Sequence, residues 1–428
     1  AALVSRDLKD IVRQNPLAVV DVTGVELSIA GSNPKFNSLT LDGVAINDTF
    51  GLNANGYPAQ RPPIAMNAIN QISMMYAPFS VRASGFTGGT INVVTKSGTN
   101  IFLGEIFYEW TPTNGVALDD KLNVTAQGEA TKYRFDNNEI TAGAAFGGAI
   151  VKDRLFYFAS YEQWSDEIIF NYDLDSLQGH AVSIEETQQV LTALSDVYGL
   201  TDSLGIAPPS DRDKKLLLKL DWTINNAHRA DFTYSQQQNN AALNYTNSGA
   251  RVNFASNQYS QDSKTTLFTT HLFSDWSENF SSEINISYKD HKQAANTASN
   301  WAEINIRTAR GNILAGQDKH RQGNVKSNQT STFAFHGWYL KDDIDYKFGV
   351  EIQHLENSDL YARSADGRWF FDSIADFENK KPNYVIYSNA YTNNKQDLTA
   401  TIQSSNYSFY AQIETELFNE LMLSAGFR

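Results

Sequence analysis

The segment APFSVRASGFTGGTINVVTKSGTN, residues 77–100, divides the chain into two regions of different sequence character. Before it the sequence is mixed and irregular. From Ile101 onward there are amphipathic segments of roughly ten residues, separated by polar connections that are alternately short and long. Four glycines lie in the dividing segment: Gly85, Gly88, Gly89 and Gly98. This boundary predicts a small N-terminal domain followed by a large β-sheet domain.

The amphipathic segments have the period of β-strands. In LLLKLDWTI, residues 216–224, every second residue from Leu216 to Ile224 is apolar, and Lys219 and Asp221 lie between them. Successive side chains of a strand point to opposite faces, so this pattern predicts a strand with one apolar and one polar face.

About eleven such strands are predicted along the chain. They lie near 101–110, 138–149, 154–164, 214–224, 228–237, 264–275, 280–290, 331–340, 345–355, 406–417 and 420–428. Their long connections lie near 111–137, 165–213, 238–263, 291–330 and 356–405. Strands of this length can cross a bilayer when tilted. Short turns alternating with long loops are typical of outer-membrane barrels, whereas soluble sandwiches and propellers rarely have so many long loops.

The composition agrees with this class and excludes others. The chain of 428 residues has no Cys, which excludes disulfide scaffolds and thiolate sites. Its formal net charge of -14 argues against a nucleic-acid partner. No run of about 18 apolar residues exists, so no transmembrane helix is predicted. The 12% of aromatic residues suits the girdles of a membrane barrel.

The number of predicted strands suggests a fragment. Single-chain bacterial barrels have even numbers of strands, whereas about eleven are counted here and the last one ends with the chain at Arg428. We therefore expect about half of a barrel that has about 22 strands when complete. A barrel that wide is not filled by its own side chains.

Residues 1–100 are expected to form a compact α+β unit, small enough to lie inside such a barrel. A helix is predicted over 5–14 with Ser5 as its N-cap. The segment 47–61 is a polar loop rich in Gly and Asn. Other short elements are predicted at 25–30, 39–41, 44–46, 64–69, 71–76 and 90–96.

Several motifs resemble those of one family and occur in its order. SLTLDGV (38–44) is similar to a strand and turn of the plug domain of TonB-dependent receptors, and PIAMNAINQIS (63–73) resembles the helix and strand that follow it. Residues 77–100 are similar to the end of the plug in the Oar-like subgroup. FGGAIVKDRLFYFASYE (146–162) resembles the first periplasmic hairpin of that subgroup, and 407–428 resembles a recurrent barrel hairpin.

This resemblance implies an N-terminally incomplete plug domain at 1–100 and the first half of a transmembrane antiparallel β-barrel at 101–428. It implies a bacterial outer-membrane location and a TonB-type energy-coupling protein in the periplasm as partner. Outer-membrane lipids, lipopolysaccharide, a small-molecule, glycan or peptide cargo, and surface or periplasmic proteins are further expected partners. The family's energy-coupling box, the subgroup's carboxypeptidase-regulatory-like domain and the second half-barrel do not fall within the sequence.

The residues give little support to catalysis or cofactor binding. Gly85, Gly88 and Gly89 could cradle a phosphate, but no Gly-Lys-Ser/Thr follows them. Close backbone approach between plug and barrel wall explains them better. The seven His residues have no metal-ligand spacing, and no Gly-x-Ser-x-Gly elbow occurs. No catalytic residue, metal or cofactor is therefore expected, and the chain is not expected to be an enzyme.

The polar loop 47–61 is the predicted cargo-facing part of the plug. Its candidate substrate-binding residues are Asn47, Asp48, Asn53, Asn55, Tyr57 and Arg61. Polar residues predicted to line the lumen are Lys219, Asp221, Arg229, Asp231, Glu283, Lys289, Glu351, Gln412 and Glu414. A helix capped by Ser183 is predicted inside the second long loop.

The predicted function is that of a TonB-dependent receptor and transporter. Such a protein binds a substrate at the extracellular face and moves it across the outer membrane with energy from an inner-membrane complex. Two alternatives stay open at this point. One is an Oar-like conduit for export or surface assembly of protein or peptide, and the other is a passive porin.

Overall fold

The computed structural model describes residues 6–21, 25–51, 53–76, 79–112, 135–170, 181–204, 211–243, 250–418 and 421–428. Ser5 and most of the predicted loop at 111–137 lie outside these residues. Helices and strands are numbered below in chain order.

Over its described residues, the first part of the chain contains one α-helix, six short strands and two 3-10 turns. These elements are α1 (Leu8–Val12), β1 (Ala18–Val20), β2 (Leu27–Ile29), a 3-10 turn (Pro34–Phe36), β3 (Ser38–Leu41), β4 (Val44–Ala45), a 3-10 turn (Met66–Ala68), β5 (Ile69–Tyr76) and β6 (Gly89–Thr95).

The middle part contains, in the ranges that the structure describes, long strands and one long helix. These are β7 (Leu103–Pro112), β8 (Phe135–Val151), β9 (Leu155–Phe170), α2 (Ile184–Tyr198), β10 (Asp211–Thr223) and β11 (His228–Leu243).

The last part contains both long and short strands. These are β12 (Arg251–Asn253), a 3-10 turn (Ala255–Asn257), β13 (Tyr259–Ser277), β14 (Phe280–Thr297), β15 (Glu303–Arg307), β16 (Asn312–Ala315), β17 (Asn324–Lys341), β18 (Ile344–Tyr361), β19 (Arg368–Phe371), α3 (Ile374–Glu378), β20 (Tyr384–Ile386), a 3-10 turn (Lys395–Leu398), β21 (Ala400–Phe418) and β22 (Leu421–Phe427).

The long strands form one antiparallel sheet of eleven strands, in the order β22-β21-β18-β17-β14-β13-β11-β10-β9-β8-β7. Each corresponds to one predicted strand, so the mostly-β prediction with its large antiparallel sheet is confirmed. Most of the strands are longer than predicted, and β13 and β21 each reach 19 residues, whereas β7 has the predicted ten residues and β22 is shorter, with seven. The pairing continues into ranges predicted as loops, because the ladder hydrogen bonds extend beyond the strongly alternating segments.

Strand β10 shows the predicted alternation directly. Leu218, Leu220 and Trp222 are between 42% and 49% exposed on the outer face of the sheet. On the opposite face Leu217 and Lys219 are 3% and 7% exposed, because they contact the N-terminal region. The period-two pattern therefore separates a lipid-facing surface from an inward surface, as in outer-membrane barrels.

One end of the sheet consists of tight turns whose residues suit their backbone conformations. Lys341 pairs with Ile344, so only Asp342 and Asp343 connect β17 to β18. Both aspartates have positive φ, 50° and 62°. A two-residue hairpin with positive φ at both positions matches the right-handed twist of the strands, and Asp tolerates that conformation better than most residues.

The N-terminal region folds around its own core. A four-stranded sheet has the order β4-β3-β6-β5, and β1 pairs with β2 beside it. Ile29, Leu41, Ile64 and Val93 are at most 2% exposed in this core. The pairing of β3 with β6 is parallel, whereas the pairing of β5 with β6 is antiparallel.

The first helix is shorter than predicted. It begins after Asp7, whose carboxylate accepts a hydrogen bond from the backbone N–H of Lys9 at 2.9 Å. Asp7 is therefore the N-cap, not the predicted Ser5. An Asp at this position satisfies one of the free N–H groups of the first turn. Strand β1 was not predicted, since three residues carry too little periodicity.

Close approach to the barrel wall, the explanation predicted for Gly85, Gly88 and Gly89, is only partly right. A side chain at Gly88 or Gly89 would clash within the N-terminal region, against Asn37 and Ile29 respectively. Gly85 has φ +79° and no neighbour within 4 Å of its Cβ position. Close approach to the sheet is instead found at Gly98, where a Cβ would lie 2.3 Å from the Tyr157 carbonyl oxygen.

The long connections at the other end of the sheet form a second structural unit, which we call the cap. Its five-stranded sheet has the order β12-β16-β15-β19-β20 and packs with α2 and α3. Phe254, Ile306, Ile313, Phe377 and Leu194 are fully buried in its hydrophobic core. Segments from four different connections thus share one core. The end opposite the tight turns is the external end in outer-membrane barrels.

Helix α2 of the cap is the helix that the sequence predicts. Ser183 accepts from the backbone N–H of Glu186 at 3.1 Å, and the Glu186 carboxylate accepts from the backbone N–H of Ser183 at 2.9 Å. This reciprocal capping box fixes the start of the helix. Gly199, with φ 68°, ends it in the left-handed conformation. Among the described residues, no helix is both long and apolar enough to span a membrane.

A methyl group at Gly98 should weaken the attachment of the N-terminal region to the sheet. The Cβ of Gly98→Ala would lie 2.3 Å and 2.6 Å from the carbonyl oxygens of Tyr157 and Gly148, so the backbone must shift. We expect a loss of about 1–3 kcal/mol, measured as a lower unfolding temperature of the intact barrel by gel mobility after heating. Gly148→Ala is the control, because its nearest neighbours lie at 3.4 Å or more. Equal unfolding temperatures for both variants would contradict this explanation.

The cap should be destabilised independently of the large sheet. Phe254→Ala removes a fully buried ring from the core of the cap and should cost about 3–5 kcal/mol. Hydrogen exchange should then accelerate in β12, β15, β16 and α2 while β10 and β11 keep their protection. Tyr391→Ala, at a fully exposed side chain, is the control. Loss of protection throughout the large sheet would show that the cap is not a separate unit.

Candidate functional site

The N-terminal region lies against the inward face of the large sheet and is held there by polar contacts. Near the tight-turn end, the Ser97 hydroxyl lies 3.2 Å from the Asp221 carboxylate, and the Lys219 ammonium donates to Thr95 Oγ1 at 3.1 Å. Toward the other end of the strands, the Gln237 amide donates to the backbone carbonyl of Pro62 at 3.1 Å. The contacts therefore span much of the height of the sheet.

A buried ion cluster provides one of these attachments. Glu162 accepts from Lys215 and from Arg6, both at 2.9 Å, and Asp213 lies 3.1 Å from the Lys215 ammonium. The side chains of Glu162, Lys215 and Asp213 are at most 4% exposed. Arg6 comes from the N-terminal region and the other three come from β9 and β10. Removing one member of such a cluster leaves an uncompensated buried charge, so the cluster fixes the position of the chain at Arg6.

Arg82 provides a second attachment. Its guanidinium donates to the Glu283 carboxylate of β14 at 2.7 Å. The neighbouring Val81 backbone N–H donates to the Gln412 amide oxygen at 3.0 Å, and the Arg428 guanidinium donates to the Val81 carbonyl at 3.1 Å. The segment after β5 is therefore bound through both its side chain and its backbone to strands β14 and β21 and to the chain end at Arg428.

The turn between β3 and β4 is a third attachment, at the DGV motif. The Asp42 carboxylate accepts from the Thr95 backbone N–H at 2.9 Å and from its hydroxyl at 2.7 Å. The Lys219 ammonium lies 3.9 Å from the same carboxylate. Asp42 itself has φ 46° and Gly43 has φ 84°, so this Asp-Gly pair is suited to the turn. Asp42 thus joins two strands of the N-terminal sheet to β10.

The predicted cargo-facing loop at 47–61 is organised by its own polar side chains. Asp48 accepts from the backbone N–H groups of Phe50 and Asn53 at 3.0 and 2.8 Å. The Asn53 amide donates to the Tyr57 carbonyl, and the Asn55 amide donates to the Ala59 carbonyl. Much of the hydrogen-bonding capacity of these side chains is therefore used inside the loop, which keeps it in a defined shape.

Three of the six candidate residues line a large cavity, and three do not. Asn47, Asp48 and Asn53 lie on a cavity of about 820 Å³ between the loop and the large sheet. Asn47 also bonds to the backbone of Leu39 and Asn37. Asn55, Tyr57 and Arg61 do not line this cavity.

Tyr57 is a core residue of the N-terminal region. It is 4% exposed, and its hydroxyl donates to the Asp7 carboxylate at 2.5 Å. Burial and the nearby Asp7 carboxylate raise the pKa of Tyr57 well above its ordinary value, so the hydroxyl stays a donor. Arg61 instead stacks on the indole ring of Trp164 in β9, with 4.0 Å between the guanidinium carbon and the ring centre. Both residues therefore position the loop.

The other side of the cavity is formed by polar side chains of β14, β17, β18 and β21. Among the predicted lumen residues, Lys289 and Glu351 lie there. The Lys289 ammonium donates to Thr49 Oγ1 at 3.2 Å, and Thr49 donates to the Asn328 amide oxygen at 3.1 Å. These two contacts tie the loop to the sheet. The cavity can form many hydrogen bonds, and apolar groups make up nearly as much of its lining as polar groups do.

Sequence reasoning missed the pairing of Thr49 with Asn328, which lie 279 positions apart. The alternation of side chains along β17 indicates only that Asn328 is one of many inward-facing residues. The sequence also does not predict the Arg82–Glu283 pair, although Arg82 lies in the dividing segment 77–100 and Glu283 is a predicted lumen residue. No local signal connects them, because the sheet register decides which residues meet. Within the described residues, no group of three or more His, Asp or Glu side chains is arranged to hold a metal ion.

Comparisons with known proteins agree with this architecture. Residues 94–169 match the family described as "Outer membrane beta barrel domain". The TonB-dependent transporter Oar of Myxococcus xanthus is 30% identical over 168 residues, which are 37% of this chain and 14% of Oar.

Solved outer-membrane structures share the fold over the whole chain. The outer-membrane transporter YddB of Escherichia coli superposes with a TM-score of 0.69 at 11% identity, covering 100% of this chain and 54% of YddB. The siderophore receptor PirA of Acinetobacter baumannii gives 0.59 at 14% identity, covering 99% and 54%. The chain therefore spans about half the length of these solved proteins.

The fold and the matches define a bacterial outer-membrane β-barrel protein. More particularly, the chain is homologous to the TonB-dependent transporter Oar and has the fold of TonB-dependent receptors, so the resemblance predicted from the sequence is confirmed. These relatives are transporters and receptors and not enzymes, as expected for this chain.

The Arg82–Glu283 pair can be tested by reversing its charges. Arg82→Glu would place two carboxylates together and weaken the attachment of the N-terminal region by about 2 kcal/mol, less than for a fully buried pair because Arg82 is 43% exposed. Limited proteolysis of the intact protein should then cleave within residues 79–88 faster than in the wild type.

The double variant Arg82→Glu/Glu283→Arg is the matched control, because it restores opposite charges. Its cleavage rate should return toward that of the wild type. Similar cleavage rates for the single variant and the wild type would show that this ion pair does not hold the segment.

Proposed function

We propose that this chain is the plug and the first part of the barrel of a TonB-dependent outer-membrane transporter. The observation that carries the proposal is the folded N-terminal region seated on the inward face of the large sheet. In this proposal, residues 1–100 are the plug domain and residues 101–428 are barrel. A passive pore needs no such folded domain across its lumen, because a plug obstructs diffusion.

The proposed substrate site is the cavity between the loop 47–61 and the sheet. Asn47, Asp48 and Asn53 form its plug side, and Lys289 and Glu351 are among the residues of its barrel side. The lining combines hydroxyl, amide and charged groups with apolar groups in similar amounts, which favours a cargo that carries several hydrogen-bonding groups. Oligosaccharides, peptides and siderophores all fit that description, so the proposal stops at a polar solute.

Transport in this proposal requires the plug to move. The attachments at Arg6, Asp42, Thr49 and Arg82 are polar. Those at Thr49 and Arg82 are partly exposed, whereas the Glu162 cluster and the Asp42 contact are buried. Polar contacts can be exchanged for water when they break, so their rupture costs less than exposing an apolar interface. A TonB-type protein in the periplasm would supply the pulling force through the plug. The alternatives of an export conduit and a passive porin gain no support from the relatives.

A tether between plug and barrel tests the proposal. Thr49 and Asn328 touch through their side chains at 3.1 Å, so Thr49→Cys/Asn328→Cys can be joined by a disulfide or a short thiol cross-linker in a chain that has no other Cys. The cargo would first be found by comparing wild-type and deletion strains for depletion of defined siderophores, oligosaccharides, peptides and cobalamin from the medium. Cross-linking should then reduce uptake of the depleted compound at least tenfold without abolishing binding.

The matched control joins two neighbouring barrel strands instead. Ser358 and Thr401 lie 2.8 Å apart on β18 and β21, so Ser358→Cys/Thr401→Cys cross-links the barrel alone. Uptake should be normal in that variant, and reduction should restore uptake in the plug-tethered one. Undiminished uptake by the fully tethered protein, or uptake that survives collapse of the proton-motive force, would overturn the proposal.

A further inference from the structure

The cavity between the loop 47–61 and the large sheet differs in charge from the rest of the chain. The chain carries a formal net charge of -14. The lining of the cavity instead has more basic side chains than carboxylates. Its charged residues are Lys35, Arg82, Lys289 and Arg428 against Asp48 and Glu351. Charges of one sign on the walls of a cleft raise the local concentration of solutes of the opposite sign, so this excess bears on what can bind.

Both arginines of the lining are paired with carboxylates of the barrel. The Arg428 guanidinium donates to the Glu351 carboxylate at 2.8 Å. The Arg82 guanidinium donates to the Glu283 carboxylate at 2.7 Å. Because these two pairs balance the arginine charges, the excess positive charge of the cavity comes from its two lysines.

The two lysines differ in burial. Lys35 is exposed to solvent, whereas Lys289 of β14 is only 6% exposed. The Lys289 ammonium donates to Thr49 Oγ1 at 3.2 Å and to the Asn47 carbonyl oxygen at 3.5 Å. Both acceptors are neutral, and among the described residues Lys289 forms no ion pair. A buried ammonium without a counter-ion is costly, so this position favours an anion supplied from outside the chain.

The Lys289 ammonium also has hydrogen-bonding capacity left. An ammonium has three N–H donors, and two of them are used by the oxygens of the loop 47–61. Since Lys289 lines the cavity, the third donor is available to a solute there. A hydrogen bond between an ammonium and an anion is about twice as strong as one between neutral groups. It gains further where burial removes the screening of bulk water.

The Asp48 carboxylate also lies on the cavity, but it does not neutralise Lys289 by direct contact. Its two oxygens accept from the backbone N–H groups of Phe50 and Asn53 at 3.0 and 2.8 Å. These bonds hold the carboxylate within its own loop, where it forms no ion pair with Lys289. A solute can therefore approach the Lys289 ammonium without displacing Asp48.

We propose that Lys289 determines the charge specificity of the site by binding an anionic group of the cargo, a carboxylate or a phosphate. The inference rests on the proposed function, because it assigns the class of solute that the proposed substrate site takes. An anion at Lys289 meets one side chain that contacts both the plug loop, at Thr49 and Asn47, and the barrel wall. A cargo without an acidic group leaves the charge of Lys289 unmatched and is therefore disfavoured.

The test compares three sugars that differ in one group. Glucuronate carries a carboxylate, glucose 6-phosphate carries a phosphate, and glucose carries neither. Their binding to the intact protein in detergent is measured by ligand-observed NMR. At least one charged sugar should bind about tenfold more tightly than glucose, because a hydrogen bond to a charged group is gained. The ratio between the two charged sugars distinguishes a carboxylate site from a phosphate site.

Variants at Lys289 separate recognition from a structural role. Lys289→Gln removes the charge but keeps an N–H donor for Thr49, so it should weaken binding of the preferred charged sugar about tenfold and leave glucose binding unchanged. Lys289→Arg keeps the charge and should retain the preference. Lys326→Gln is the matched control, because it removes an equal charge from the neighbouring strand β17. The Lys326 ammonium lies 5.6 Å from the centre of the Phe50 ring, and Lys326 does not line the cavity.

Three results would overturn the inference. The first is binding of both charged sugars no tighter than that of glucose, and the second is an undiminished preference for charged sugars in Lys289→Gln. The third is an equal loss of glucose binding in that variant, which would show that Lys289 only maintains the shape of the cavity.

Failure of this inference and failure of the proposed function are distinguishable. A neutral compound whose uptake depends on the proton-motive force and is blocked by the tether between Thr49→Cys and Asn328→Cys would overturn the inference and leave the transport proposal intact. Charge-selective binding together with uptake that survives the tether would instead overturn the transport proposal alone.

Discussion

The structure depends on one constraint: a strand that crosses a bilayer must satisfy every backbone N–H and C=O through its neighbours while its two faces meet different solvents. The eleven strands meet the first requirement by continuous antiparallel pairing. The alternation of side chains meets the second. It places Leu218 and Trp222 toward lipid and Lys219 toward the interior. The inward face is polar and wide, and its own side chains do not fill the space in front of it. A separate folded region occupies that space.

That folded region is attached to the sheet by specific polar contacts. The DGV turn contacts the sheet through Asp42, the segment after β5 contacts it through Arg82, and the polar loop contacts it through Thr49. Each contact is polar and joins residues far apart in the sequence. The loop between them is stiffened by its own Asn and Asp side chains. The loop therefore keeps a defined shape beside the cavity.

The two ends of the large sheet are built on different principles. At one end the turns are as short as two residues, and Asp342 and Asp343 adopt the positive φ that such a turn requires. At the other end four connections share a hydrophobic core around Phe254 and Phe377. The long connections are therefore not independent loops over their described parts. Their shared core holds them in place at the mouth.

The sequence by itself determined the strands and their faces, because alternation is a local property that follows from strand geometry. It also determined helix α2, whose capping box lies within four residues, Ser183 to Glu186. Tertiary structure alone decided which residues meet. Tyr57 is buried in the core of the N-terminal region and Arg61 stacks on Trp164, although the sequence predicts both as residues of a polar loop. A register shift of one residue would exchange every partner and face, and register depends on contacts between distant segments.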